Sequence, residues 1–192
     1  MKKLTYILKI LAAQMLTILT VLTLIEATGR IYVEIIRGTP LLVQLLLGFY
    51  VIANAVGIEN RFVVGTLVLA AFSGAYMAEI IRGGLNAIPK TQRDSARAIG
   101  LTQWQSFRLV ILPQAVRLVL PAIAGQLVSL IKDSSLLSVI AISEFTLNAR
   151  EVNSFTYSTL ESYVPLAIGY LMLTLPLSAT ARWLESSFSY ER

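Results

Sequence analysis

The sequence contains no cysteine and no histidine among its 192 residues. Without cysteine the chain has no disulfide framework and no thiolate nucleophile. Without histidine it lacks the commonest metal ligand and the usual general base near neutral pH. We therefore expect neither a metal site nor a bound cofactor.

Charged residues are also scarce, at 14%, whereas hydrophobic residues make up 56% and the mean hydropathy is +0.71. Soluble domains have about 25% charged residues. The apolar residues here gather in runs that approach the roughly 20 residues needed to cross a bilayer. The sequence predicts an all-α, polytopic membrane protein with one domain over residues 1–192. About five transmembrane helices are expected, at residues 4–25, 40–58, 62–81, 113–131 and 163–184.

The stretches between these runs have different characters. Residues 31–37 are amphipathic and are expected to lie along the membrane interface, before a break at Gly38-Thr39-Pro40. Residues 136–142 are apolar but too short to span. Residues 144–161 are polar and are expected to form mostly loop. The basic, then apolar N-terminus resembles a signal peptide, but no convincing cleavage site follows it, so we interpret it as a retained first helix.

One stretch between two spans is strongly basic. From Arg82 to Arg117 it carries six arginines or lysines and one acid, Asp94. Membrane proteins keep such residues on the cytoplasmic side, so this stretch is expected to be cytoplasmic. Two predicted spans follow it, which returns the C-terminus to the cytoplasmic side. Lys2, Lys3 and Lys9 favour the opposite orientation for the first span. Because the charge lies beside spans, it does not indicate a nucleic-acid partner.

The basic stretch also has helical signals. Residues 89–99 are expected to form a short helix that Gly100 ends. A second short helix is expected over residues 102–110, with Thr102 as its N-cap.

The spacing of residues in this stretch resembles that of a known loop. Asp94-Ser95-Ala96 is followed after three residues by Gly100, and after nine more by Val110-Ile111-Leu112-Pro113. This is similar to the cytoplasmic EAA loop of ATP-binding-cassette importer permeases. The resemblance extends over residues 31–184 and includes Tyr32–Gln44, Tyr76–Gly84, Leu112–Ala115 and Lys132–Leu136. These segments are similar to those of the permeases for polar amino acids, the branch of the family that transports histidine, glutamine, glutamate and arginine.

The resemblance implies a permease subunit of an ATP-driven importer for polar or charged amino acids, working by alternating access in the bacterial inner membrane. Residues 83–112, called here the basic loop, would couple it to the motor. The coupling residues would be Asp94, Ser95, Ala96, Arg97, Gly100 and Pro113. The implied partners are ATPase subunits, a second permease copy or paralogue, and a periplasmic or extracellular amino-acid-binding protein. The chain has no phosphate-binding P-loop motif, so ATP hydrolysis is expected in a partner and not in this chain.

Polar residues in or beside the spans are candidates for the substrate pathway, because charged groups in a bilayer usually face a cavity or each other. They are Asn54, Ser73, Tyr76, Glu79, Lys132, Asp133 and Ser134. Other roles stay open at this stage. Glu79 can pair with Arg82, the Lys132-Asp133 pair can mark the external membrane surface, and the uncharged side chains can join helices by hydrogen bonds.

A second hypothesis is a small oligomeric channel or passive scaffold whose basic loop binds anionic membrane lipid. A lipid-binding segment requires positive charge but no fixed residue spacing. The spacing from Asp94 through Gly100 to Pro113 therefore distinguishes the two hypotheses and favours the permease.

Overall fold

The computed structural model describes residues 28–188, and within that range it contains helices and no strand. The predicted all-α class is confirmed. In chain order the helices are α1 (Thr28–Gly38), α2 (Leu41–Val56, π-helical over Gly48–Ala53), α3 (Arg61–Asn86), α4 (Lys90–Ala98), α5 (Gln103–Ser106), α6 (Leu112–Asp133), α7 (Phe145–Thr156) and α8 (Thr159–Phe188).

Among the described residues, three continuous helices are long and apolar enough to cross a membrane. They are α3, the stretch Gln103–Ile140 that contains α5 and α6, and α8. The pair α1 and α2, bent by 107°, makes a fourth if it counts as one broken span. The first predicted span, residues 4–25, lies outside the described range. The expected count of five is therefore approximate.

The Gln44 side chain reaches back across the bend between α1 and α2. Gln44 Nε2 lies 2.7 Å from the Ile36 carbonyl oxygen, 3.0 Å from the Thr39 carbonyl oxygen and 2.8 Å from Thr39 Oγ1. In addition, the Tyr32 hydroxyl donates a hydrogen bond to the Ala71 carbonyl of α3. Backbone groups that a helix break exposes in a membrane must find partners within the protein. Gln44 supplies them here.

The main apolar core lies at the end of the molecule opposite the basic loop. It joins α2, α3 and the segment that follows α6, and consists of Leu41, Leu45, Phe72, Ile140 and Ile142. Gly65 of α3 faces this core, and a Cβ there would lie 2.6 Å from Ile142 Cδ1. Only glycine allows α3 to approach this closely without displacing its neighbours.

The prediction of a separate helix over residues 102–110 is wrong at its C-terminal end. α5 runs without interruption through a π-helical segment, Phe107–Ile111, into α6. Pro113 has no N–H to donate and its ring crowds the preceding turn, which a wider π turn accommodates. The chain therefore enters the membrane as one long helix.

Two further predictions about the polar stretches are corrected. The span predicted over residues 113–131 does not end before Lys132, because α6 continues through Asp133 and tightens into a 3₁₀ helix, Ser134–Ile140. Residues 144–161 are not mostly loop, since they contain α7. Glu144 caps this helix by accepting hydrogen bonds from the backbone N–H groups of Thr146 and Leu147. Capping by Glu is less usual than by Ser, Thr, Asp or Asn, so the sequence signal was weak.

The three long helices run antiparallel in chain order. At the basic-loop end, Ile88 packs against Ile111 and Ala115. At the opposite end Phe145, which opens α7, contacts Tyr170 of α8 with ring centroids 5.7 Å apart. α8 then returns along α6, because Arg182 lines the same groove as Arg117. Its C-terminal end therefore lies at the end of the molecule that carries the basic loop.

Candidate functional site

The basic loop contains a helix with a well-defined stop. α4 ends in a Schellman motif, in which the Leu101 N–H donates to the Ala96 carbonyl (3.2 Å) and the Gly100 N–H donates to the Arg97 carbonyl (3.0 Å). Gly100 has φ +88°, a left-handed conformation that a side chain disfavours. The predicted helix stop at Gly100 is confirmed.

The next helix starts immediately afterwards with a capping box. Thr102 Oγ1 accepts a hydrogen bond from the Gln105 N–H (3.3 Å), and Gln105 Oε1 accepts one from the Thr102 N–H (2.9 Å). This confirms the predicted N-cap. Because one helix is stopped and the other started by local hydrogen bonds, the two are held at a defined turn.

The inner face of the basic loop packs on the ends of α3 and α6. Ala96 is buried, and so are Ile88 and Ile111. At the same level Gly84 of α3 meets α6 so closely that a Cβ would lie 2.1 Å from Val119 Cγ2. α4 itself contacts α5 and the Phe107–Ile111 segment, which continue into α6, while Ile88 joins the end of α3 to Ile111 and Ala115.

The outer face of the loop presents charge beside apolar surface. Arg93, Asp94 and Arg97 are exposed. Ile99 is 78% exposed and Trp104 is 67% exposed, stacked on Phe107 with ring centroids 6.0 Å apart. Interface hot spots are enriched in Trp and Arg. This face has the composition of a protein-docking surface.

The predicted coupling residues fall into three groups. Asp94, Ser95, Arg97 and Gly100 are exposed on or beside α4, whereas Ala96 is buried beneath it. Pro113 lies in the first turn of α6, away from the exposed face. The structure thus brings most of the set together and places Pro113 in the connection to the membrane helix.

Among the pathway candidates, Glu79 is already paired. Arg82 donates to both of its carboxylate oxygens, with Nε 2.9 Å from Oε2, and Arg37 Nη1 lies 3.4 Å from Oε1. The Arg37 guanidinium also stands over the Tyr76 ring at 5.4 Å from its centroid. The pairing of Glu79 with Arg82 confirms one of the alternatives. Arg37 was missed as a partner of Glu79, because this pairing depends on how α1 packs against α3.

The remaining pathway candidates do not meet in a single cavity of residues 28–188. Asn54 Nδ2 donates to the Tyr50 carbonyl (2.8 Å) near the end of α2. Ser73 is half-buried in α3. Ser134 Oγ donates to the Ile131 carbonyl (2.7 Å) at the opposite end of α6 from the basic loop. Asp133 is half-buried beside it, and Lys132 is exposed.

Lys132 instead lines a groove of about 590 Å³ between α6 and α8. The groove floor contains small residues of α6, including Pro121, Ala122 and Gly125. Arg117 lies at its basic-loop end together with Arg182 and Glu185. A groove of this size has the volume of a small-molecule site.

Comparison with known proteins shows which protein family has these features. A family model described as "Binding-protein-dependent transport system inner membrane component" matches residues 9–190. The chain belongs to this family. It is 36% identical over 167 residues to a probable glutamine ABC transporter permease protein of Bacillus subtilis (strain 168), an alignment that covers 87% of this chain and 77% of the relative.

Other members of the transport family agree. The chain is 37% identical over 157 residues to a glutamine transport system permease protein of Escherichia coli (strain K12), covering 81% of this chain and 72% of that one. It also matches a crystal structure of an amino acid ABC transporter with histidines at a TM-score of 0.80 and 37% identity, covering 86% and 77% of the two chains.

Membership of the transport family has consequences for the whole chain. It is a multi-pass protein of the plasma (inner) membrane that works with an ATPase in a separate subunit and with a substrate-binding protein. The resemblance to ABC importer permeases is confirmed. The relatives do not favour the alternative of a small channel or passive scaffold.

Proposed function

We propose that this chain is the permease subunit of an ATP-driven importer for polar or charged amino acids, with glutamine and arginine as the first substrates to test. Relatives named for glutamine and for arginine transport match over 80% or more of the chain. The observation that carries the proposal is the turn at Gly100. This turn fixes α4 and α5 relative to each other at the ends of two membrane helices.

In the proposed cycle residues 1–192 act as one membrane domain, with the core in residues 31–184. A second copy or a paralogue completes the pathway. The basic loop docks on an ATPase subunit at the cytoplasmic face through the exposed residues Asp94, Ser95, Arg97 and Gly100. Ala96, buried on the inner face of α4, supports the docking surface from behind. Closure of the ATPase pair on ATP moves the loops as rigid bodies, and α3 and α6 follow because they are packed against them. Pro113 lies where this motion enters the membrane.

The proposed orientation has the C-terminus in the cytoplasm. The support is geometric, since Arg182 and Glu185 near the end of α8 line the same groove as Arg117 just beyond the basic loop. Arginine-rich segments favour the cytoplasmic side. An amino-acid-binding protein would then deliver substrate at the opposite end, and membrane lipid would cover the exposed apolar faces.

The proposed pathway residues act at two depths. Ser73, Tyr76 and Glu79 lie along α3 from its midpoint toward the basic-loop end, and the cluster of Glu79 with Arg37 and Arg82 carries a net positive charge there. Asn54, Lys132, Asp133 and Ser134 lie toward the external side. Fixed charges of both signs suit a zwitterionic substrate, whose ammonium and carboxylate groups need partners once water is removed.

Reconstitution tests the proposal. The permease is co-expressed with its ATPase subunit, placed in vesicles with the binding protein, and assayed for ATP-dependent uptake of radiolabelled glutamine and arginine. We expect uptake of at least one of them, and loss of uptake in Gly100→Val. Uptake that needs no ATP, or a chain that binds no ATPase, contradicts the proposal and restores the channel hypothesis.

A further inference from the structure

A small pocket lies between the two helices of the basic loop. It has a volume of about 290 Å³ and is lined by Arg93, Arg97, Gln103, Ser106 and Phe107. At roughly 30 Å³ for a water molecule in the liquid, it has room for about ten waters. It is therefore large enough for one acidic side chain and too small for a folded element.

The two arginines on its rim share one face of α4, because they are four residues apart. Both are exposed, and among residues 28–188 neither has an ion-pair partner. The single acid of the loop, Asp94, pairs with neither of them. Two guanidinium groups on one rim leave the pocket with an unneutralised positive charge.

The base of the pocket contains a second, independent feature. Ser106 is only 1% exposed, and its hydroxyl oxygen has no hydrogen-bond partner within the described part of the chain. A buried hydroxyl without a partner is costly, and such groups in native proteins need an explanation. A hydroxyl can donate to an anion held by the arginines above it, which would remove the cost.

The position of the pocket adds to this preference for an anion. Gln103 opens a helix that continues for 38 residues to Ile140. The N-terminus of a helix carries partial positive charge and favours negative groups. The guanidinium pair, the free hydroxyl and the helix start thus all favour an anion at the same place.

We propose that this pocket receives the carboxylate of one acidic side chain of the ATPase subunit. The proposal rests on the coupling function proposed above and adds the chemistry of the contact. A protein partner is favoured over a lipid headgroup because Ile99 and Trp104, both largely exposed, stand beside the charged rim. Desolvated arginines next to apolar anchors are typical of protein interfaces.

Charge reversal with a matched control provides the first test. Arg93→Glu with Arg97→Glu is compared with Arg108→Glu, which changes an exposed arginine of the same loop that does not line the pocket. We expect affinity for the co-expressed ATPase subunit to fall at least about tenfold in the double variant, and to stay within about twofold in Arg108→Glu. Arg108→Glu reverses one charge and the double variant reverses two. A loss of binding free energy in Arg108→Glu that is half of the loss in the double variant would therefore mean that only the overall loop charge matters, which would overturn the proposal.

Zero-length crosslinking identifies the occupant. A carbodiimide joins an amine directly to a carboxylate, so Arg97→Lys places a reactive amine on the rim, and Arg108→Lys is the control. We expect mass spectrometry to find Arg97→Lys crosslinked to one Asp or Glu of the ATPase subunit, with no such product from Arg108→Lys. A crosslink to phosphatidylserine in place of the ATPase would overturn the proposal in favour of a lipid site.

The outcomes for the two proposals are separable. If the unaltered chain neither binds the ATPase subunit nor supports ATP-dependent uptake, the proposed function has failed. If it does both, but the double variant binds as tightly as the unaltered chain, only the pocket assignment has failed. Ser106→Ala gives a further check, because it should weaken binding less than the charge reversal does while leaving thermal stability unchanged or improved.

Discussion

Arg37 and Glu79 form an ion pair between α1 and α3, with Arg37 Nη1 3.4 Å from Glu79 Oε1. Glu79 is shared with Arg82, so one acid pairs with two basic groups and the cluster keeps a net positive charge. Arg37 lies at the end of α1, just before the bend into α2. The pair therefore fixes the bent segment against a membrane helix whose far end carries the basic loop.

Replacing the shared acid tests this arrangement. Glu79→Gln leaves two arginines facing each other without a counter-charge, so we expect a lower Tm in detergent and slower uptake. Glu34→Gln removes the same charge from an exposed site on α1 and should change neither. A Glu79→Gln variant with an unchanged Tm would mean that the ion pairs contribute nothing measurable.

The left-handed turn at Gly100 has a matched control at the other end of the molecule. Gly57 has φ +72°, and no atom of residues 28–188 lies within 4 Å of the position that a Cβ would take at either glycine. Alanine at either position should cost about 1 kcal/mol from backbone strain alone. We expect Gly100→Ala to reduce ATPase binding and coupled uptake, and Gly57→Ala to reduce stability only. The readouts are Tm, ATPase co-purification and uptake, and equal coupling defects would contradict the expectation.

Two adjacent glycines of α3 should respond in opposite ways. A Cβ at Gly84 would overlap Val119 of α6, whereas a Cβ at Gly83 would meet nothing within 4 Å. Overpacking costs about 1–3 kcal/mol, while alanine in an open helical position gains roughly 0.5–1 kcal/mol over glycine. We expect Gly84→Ala to lower Tm and Gly83→Ala to raise it slightly. A Gly84→Ala variant as stable as Gly83→Ala would show that α3 and α6 separate freely at this end.

The cap of α7 gives a prediction for the opposite side of the molecule. Glu144 accepts hydrogen bonds from two backbone N–H groups and from the Tyr170 hydroxyl, which lies 3.1 Å from Oε2. Losing an N-cap costs about 1 kcal/mol. We expect Glu144→Ala to speed hydrogen exchange at the amides of Thr146 and Leu147. Glu151→Ala, which alters an exposed acid of the same helix, serves as the control and should leave those amides protected.

Features carried by apolar runs and turn residues were predictable from the sequence. The spans at α3, α6 and α8 follow from run length, and the stop at Gly100 and the cap at Thr102 follow from backbone chemistry. α7 was missed because its polar residues give little helical periodicity and its cap is a Glu. The ion pair of Arg37 and the unpartnered hydroxyl of Ser106 depend on how distant segments pack, which periodicity does not report.

The unbroken helix Gln103–Ile140 has a mechanical consequence. At 1.5 Å per residue its 38 residues extend about 57 Å if straight, nearly twice the roughly 30 Å hydrocarbon thickness of a bilayer. This single helix thus extends from the docking surface to the core around Ile140. If the ATPase subunit displaces Trp104 in the proposed cycle, this helix would tilt about the contact between Gly84 and Val119, and its Ile140 end would move on the other side of the membrane.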